Sequence, residues 1–193
     1  NGPFDFATYT KHAKVTKIEV GLPAVKKVEC KGNMARNPAA ISTTSCVALD
    51  TNGHVWTWGK NTLGILGEEG VTERKTAQKI NSLTDIVNIW HAGVTAFALS
   101  KNGVLYSWGG VTISARPSNY FAQTILPTPG VIPNIGAIID LYYGGVNTVI
   151  ALLADGTLYG WGGNLSGELG DGVAKTGLSE PVKLSNLPIN SIQ

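Results

Sequence analysis

Residues 50–67 read DTNGHVWTWGKNTLGILG, and the pattern returns twice more along the 193-residue chain. It reappears as SKNGVLYSWGG from Ser100 and as LADGTLYGWGGNLSGELG from Leu153. Gly53, Gly103 and Gly156 are spaced by 50 and 53 residues, and Trp58, Trp108 and Trp161 repeat both intervals. A period near 50 with a turn and an aromatic in every unit is the mark of a β-propeller. The dipeptides Asn52-Gly53, Asn102-Gly103 and Asp155-Gly156 accept positive φ at both positions, so each predicts a two-residue hairpin.

Working outward from those turns, a short apolar strand precedes each one: Cys46–Leu49, Ala96–Leu99 and Val149–Leu152. An alternating strand follows each: Val55–Trp58, Leu105–Trp108 and Leu158–Trp161. Period-2 alternation puts Trp56 and Trp58 on one face and Val55 and Thr57 on the other, so the large rings are expected between neighbouring sheets. The strands Val25–Val28, Ile86–Ile89 and Ile138–Leu141 open the units, and each is followed within a few residues by glycine. The expected organisation is all-β, about three blades of four antiparallel strands. The repeats cover about 24–83, 84–133 and 134–187, with the tail of a preceding blade at 14–23 and the start of another at 188–193. Residues 1–13 are read as an arm, a linker or the remnant of an earlier repeat.

Composition agrees with such a fold. The chain is 43% apolar and 15% charged, with 24 glycines and 9 prolines, which suits short strands joined by many turns. It has no run of about 18 apolar residues, so no transmembrane helix is expected. A formal net charge of +2 is too small to predict nucleic-acid or membrane binding. Lys11, Lys14, Lys17, Lys26, Lys27 and Lys31 read as a solvated basic face. Cys30 and Cys46 fall on strands expected to be neighbours, so a bridge is sterically conceivable, but free buried thiols are the preferred reading.

Two places break the repeat. The first unit carries an insert between Gly32 and Ser45, NMARNPAAISTT. The second replaces the Asn-x-x-Gly-x-Leu-Gly turn of its siblings by GVTISARPSNYFAQTILPTPG. Arg116, Tyr120 and Phe121 in the latter are the candidate partner-binding residues, because a position that abandons its turn chemistry needs another use. Packing of those rings on the neighbouring unit is the competing explanation. Gly53, Trp58, Gly59, Gly103, Trp108, Gly109, Gly156, Trp161 and Gly162 form the structural signature of the repeat.

That signature, Ala-Leu-x-x-x-Gly-x-Val/Leu-Trp/Tyr-x-Trp-Gly followed by Asn-x-x-Gly-x-Leu-Gly, resembles the repeat of the regulator of chromosome condensation family across residues 14–193. The chain departs from it at Ser45, Thr95 and Thr148, where the family usually has His, and in the second unit's missing turn. The resemblance implies a propeller, most often of seven four-stranded blades. It also implies functions that include nucleotide exchange on a small GTPase, chromatin binding, ubiquitin-ligase accessory roles and bacterial inhibition of β-lactamase, all through protein–protein contact. No active loop of the family maps onto this chain residue by residue.

Catalytic patterns are not evident. His12, His54 and His91 are scattered and read as ordinary surface or core histidines. Glu68, Glu69 and Asp155 make no acid/base pair, and no nucleophile elbow or phosphate loop is present. Asn164-Leu165-Ser166 matches a glycosylation sequon but falls in the repeat's own turn. No enzyme activity, cofactor or metal is expected. Three blades cannot close a ring of the usual size, so the remaining blades should come from a longer chain, from other copies or from a larger assembly, the first being preferred. The leading function is a protein-binding module acting through blade loops on an unidentified protein. The alternative is a structural or assembly component, such as a surface or virion-type decoration, and guanine-nucleotide exchange is a weaker third. Low charge and abundant Thr, Asn and Gly favour an extracellular or particle-surface setting.

Overall fold

The computed structural model describes residues 21–32, 44–110, 125–133, 135–144, 148–170, 172 and 177–184. Twelve strands form three four-stranded antiparallel sheets, each made of four consecutive strands paired in sequence order. The first blade holds β1 (Val25–Lys31), β2 (Ser45–Asp50), β3 (Val55–Lys60) and β4 (Glu73–Lys79). The second holds β5 (Ile86–His91), β6 (Thr95–Ser100), β7 (Leu105–Gly110) and β8 (Ile125–Ile132). The third holds β9 (Ile138–Tyr143), β10 (Thr148–Leu153), β11 (Leu158–Gly162) and β12 (Leu178–Leu184).

Sequence chemistry decides the place of each strand. The second strands read SCVALD, TAFALS and TVIALL, and the first two are buried at every position, as expected of strands covered on both faces. The core lies in two seams between blades. One joins Val47, Leu49, Val55, Ile65 and Leu66 of the first blade to Ile86, Ile89, Ala96, Ala98 and Trp108 of the second. The other joins Trp90, Phe97, Leu99 and Leu105 of the second to Leu141, Val149, Ala151 and Trp161 of the third. The second blade thus sends alternate side chains to opposite seams, the direct result of the period-2 pleat.

The tryptophans of the signature behave as expected in two blades. Trp108 is fully buried and its Nε1–H donates to the Ile65 carbonyl of the preceding blade at 2.8 Å. Trp161 is buried edge-on against Phe97, with centroids 6.4 Å apart. Trp58 is only half-buried. All three stand where the outer strand bulges, one residue facing three: Trp58 lies between the pairs Thr57↔Gln78 and Gly59↔Arg74, and the later blades repeat this. The glycine that follows has φ of 101°, 98° and 90° at Gly59, Gly109 and Gly162, a conformation that a Cβ resists.

Three hairpins form at the predicted places, but their turns differ from the two-residue form. Among these dipeptides only Gly53, Gly103 and Gly156 have positive φ. Gly53 N–H donates to Asp50 O, Gly103 to Ser100 O and Gly156 to Leu153 O. Each loop is therefore a four-residue turn closed by a left-handed glycine, and Asn52, Asn102 and Asp155 occupy ordinary right-handed positions. The cysteine expectation also fails. Cys30 and Cys46 are direct cross-strand partners with Cα atoms 4.1 Å apart, and they form a disulfide. Antiparallel pairing brought the two side chains to the same face at bonding reach, which spacing alone left open.

Candidate interaction face

Alternating strand directions divide the connections between two ends of the blades. The hairpins 51–54, 101–104 and 154–157 share one end with the blade-to-blade links. The connections that follow the first and third strands of each sheet emerge at the other, here called the loop end. Both departures from the repeat belong to the loop end: residues 33–43 run between β1 and β2, and 111–124 between β7 and β8. Arg116, Tyr120 and Phe121 lie outside the described residues.

The regular turn at this end shows what the second unit has given up. Asn61 Oδ1 accepts the Leu66 N–H at 2.8 Å while its Nδ2 donates to the Val71 carbonyl at 2.5 Å. Asn164 repeats the first bond to Leu169 at 3.0 Å and is buried. The sequon asparagine is thus a structural residue. Thr57 Oγ1 donates to the Leu66 carbonyl, and Arg74 donates to the same carbonyl, to Thr57 Oγ1 and to Glu68.

At the loop end, side chains link the first strands β1, β5 and β9 of the three blades. Glu29 accepts the His91 backbone N–H at 2.8 Å and pairs with Lys27 at 2.9 Å. His91 is buried between the first two blades; its Nδ1 accepts the Gly93 N–H at 3.1 Å, so its Nε2 carries the proton toward Ser45 Oγ at 3.0 Å. Burial pushes its pKa down to about 4 against an opposing pull from Glu29. With both ring nitrogens engaged, this imidazole braces two blades and is not free to act as a base or ligand. Tyr143, on the third blade, has its phenol pushed upward by burial and then by Glu29, and Lys31 Nζ lies 5.8 Å from its ring centroid.

Of the basic residues on β1, Lys26 and Lys31 are exposed, as a solvated face requires, and Lys27 is half-buried. Lys26 Nζ donates to the Val87 carbonyl, and Lys27 Nζ donates to Ile89 O at 2.6 Å and Asn88 Oδ1 at 3.1 Å. These amines cap the open carbonyls of the neighbouring inner strand, one means of blunting a sheet edge. Asn88 and Asp140 cap the following N–H groups, Ile89 at 2.9 Å and Leu141 at 2.8 Å, and Asp140 also accepts Trp90 Nε1–H at 2.8 Å. Lys11, Lys14 and Lys17 lie outside the described residues.

The hairpin end holds one cluster peculiar to the first blade. The buried Asp50 accepts backbone N–H groups of Asn52 and His54 through Oδ1 and Trp56 Nε1–H through Oδ2, each at 2.9 Å, with His54 Nδ1 at 3.1 Å. Burial raises the Asp50 pKa, but these donors outweigh it and hold the carboxyl below its ordinary value. His54 is half-buried and serves to fill this turn. Among the described residues no group of three or more His, Cys, Asp or Glu is arranged to hold a metal, and no helix is long and apolar enough to cross a membrane.

No family model matches the chain. Individual proteins do. The human E3 ubiquitin-protein ligase HERC2 is 30% identical over 133 residues, 67% of this chain and 3% of that protein. The mouse regulator of chromosome condensation is 30% identical over 138 residues, 71% of this chain and 31% of that protein. Among solved structures, Prp20p of Saccharomyces cerevisiae superposes with a TM-score of 0.61 and 23% identity, over 74% of this chain and 36% of that one. The chain thus spans about a third of the length of the chromosome-condensation relatives, and the superposition supports the propeller fold. These relatives overturn the extracellular or particle-surface expectation, which rested on composition alone: they are named for chromosome condensation and ubiquitin ligation, functions of the cell interior.

Proposed function

We propose, for a chain built from repeats of the regulator of chromosome condensation family, that it is a non-catalytic protein-binding segment of a propeller. Its partner engages the loop end, where residues 33–43 and the Arg116, Tyr120 and Phe121 segment depart from the repeat. One observation carries this reading: both departures begin and end on the same side of the sheets, and the brace of Glu29, Ser45 and His91 that joins the first two blades lies beside the first of them. Variable loops on a rigid scaffold are a common way to build a recognition surface. Prp20p is described as binding Gsp1p and histones, and yeast RCC1 (Prp20) as bound to Kap60, which supports protein partners for a relative of this fold.

The test uses those proteins as probes. Immobilised 193-residue chain is exposed to GDP-loaded Gsp1p, to core histones and to Kap60. The reading expects at least one to bind, and binding to fall when residues 111–124 are replaced by the Asn164–Gly170 turn or when Arg116, Tyr120 and Phe121 are changed together to alanine. Nucleotide release from Gsp1p should stay at its intrinsic rate. Binding unaffected by the loop replacement, or no binding to any probe, contradicts the assignment. Accelerated nucleotide release would convert it to an exchange factor.

A further inference from the structure

Each blade ends in an outer strand, β4, β8 or β12, with one edge bonded to its own sheet and the other turned to the rim. This rim stays open even where a blade has neighbours on both sides. The second blade packs on the first and on the third, yet Ile125 and Val131 of its outer strand are 47% and 53% exposed. Neighbouring blades therefore cover faces and leave outer edges free. A free strand edge is a template for another strand unless something blocks it.

Two of the three edges carry such a block. β8 reads ILPTPGVI and β12 reads LSEPVKL, whereas β4 reads ERKTAQK and has no proline. Ile80, Ile132 and Leu184 stand opposite Val55, Leu105 and Leu158, which aligns the three strands. Three residues before them come Ala77, Pro129 and Pro181. On the first blade the Ile80 N–H donates to the Val55 carbonyl and the Thr72 carbonyl accepts the Asn61 N–H, both at 2.9 Å and both toward β3. Antiparallel alternation counted from either end turns the N–H and C=O groups of Glu73, Lys75, Ala77 and Lys79 outward. Proline at the Ala77 position deletes one outward donor, and Pro127 deletes a second at the position of Lys75. Only β4 keeps its full outward set.

Charge says what fits this edge. Lys75 and Lys79 are exposed and, being four residues apart on a strand, project to one side about 13 Å apart. Glu73 and Glu68 are taken by Lys60 and Arg74, so neither Lys75 nor Lys79 has a salt-bridge partner among the described residues. A second copy of β4 laid on this edge would set lysines against lysines, which disfavours self-pairing. We propose that the outer edge of β4 accepts an extended acidic peptide segment of a partner as a fifth antiparallel strand. Its backbone bonds to the outward groups of Glu73, Lys75, Ala77 and Lys79, and its carboxylates lie beside Lys75 and Lys79, the strand-addition mode of peptide recognition. This rim contact is separate from the loop end and does not depend on Arg116, Tyr120 and Phe121.

Fluorescence anisotropy with a labelled peptide of about eight residues, alternating glutamate and valine, tests this on the 193-residue chain. The expected result is saturable binding, with amide hydrogen exchange slowed at Lys75, Ala77 and Lys79. Ala77→Pro writes in the residue that both sibling strands already hold, and it should weaken binding about tenfold with unchanged far-ultraviolet dichroism. Ala77→Ser keeps the N–H and should bind as the wild type does. Lys75→Glu combined with Lys79→Glu should abolish binding and transfer the preference to a peptide alternating lysine and valine. Absence of saturation up to millimolar peptide overturns the proposal, as does unchanged exchange at the three amides. So does a duplex DNA or a proline-interrupted peptide of equal charge that binds as tightly, or an Ala77→Pro chain that binds normally, since each would mean that charge alone draws the ligand.

Discussion

Replacing Trp108 by alanine should be among the most damaging single changes in this protein, and the same change at Trp58 should be mild. Trp108 is fully buried in the first seam and carries a hydrogen bond across it. Truncating a buried Trp costs about 3–5 kcal/mol, and the Ile65 carbonyl, left without its donor, adds about 1–3 kcal/mol. Against a total stability of roughly 5–15 kcal/mol for a domain, Trp108→Ala should leave the fold marginal. Trp58 is half-buried with no indole hydrogen bond among the described residues, so Trp58→Ala should cost about 1–2 kcal/mol. Urea titration followed by far-ultraviolet dichroism avoids relying on the fluorophore that is changed. Trp108→Phe should fall between the two, near 2 kcal/mol, from loss of the bond. Equal midpoints for Trp58→Ala and Trp108→Ala would refute the assignment of Trp108 to a buried inter-blade seam.

Other outcomes follow from the same geometry. Gly103 and Gly109 both have positive φ, but a Cβ at Gly103 meets nothing within 4 Å while one at Gly109 runs into the Val94 carbonyl; Gly103→Ala should cost about 1 kcal/mol and Gly109→Ala distinctly more, both read by thermal denaturation. His91 has a folded pKa of about 4 against an ordinary 6.5. Its contribution is therefore complete above pH 6.5 and lost as pH falls through that window. The loss, order of magnitude 3 kcal/mol, should show as a urea midpoint that drops with acidification and flattens in His91→Gln. Reducing the Cys30–Cys46 bond, which closes a sequence separation of 16, should lower stability by about 3 kcal/mol; an unchanged midpoint after thiol treatment would contradict its structural role.

The architecture was legible because it depends on local, periodic features. Asn52-Gly53 and its repeats marked the hairpins, and Val55–Trp58 and its repeats fixed which side chains share a face. Period does not report contacts between units, and there the sequence reading fell short. The Trp108 bond to Ile65 spans 43 residues, Ser45 to His91 spans 46 and Lys27 to Ile89 spans 62. None of these pairings leaves a local spacing rule to find. Lys26 and Lys27 read as surface charge, and their further bonds to the carbonyls of Val87 and Ile89 leave no trace in the sequence. Two signals could have been used. The uniform glycine after each signature tryptophan pointed to a bulge, and the replacement of the family histidine by Ser45 called for a partner that His91 supplies. The Arg116, Tyr120 and Phe121 segment was singled out because it breaks the repeat, and for the same reason no sibling unit predicts its shape.

The most direct test of stacked blades joined through their indoles is a nuclear Overhauser experiment on the indole protons of protein labelled with nitrogen-15. The account predicts that the Trp108 indole proton sees protons of Ile65 and Leu66 in the preceding sheet, and that the Trp90 indole proton sees those of Asp140 and Leu141 in the following one. Indole protons that see only residues of their own sheet would contradict it.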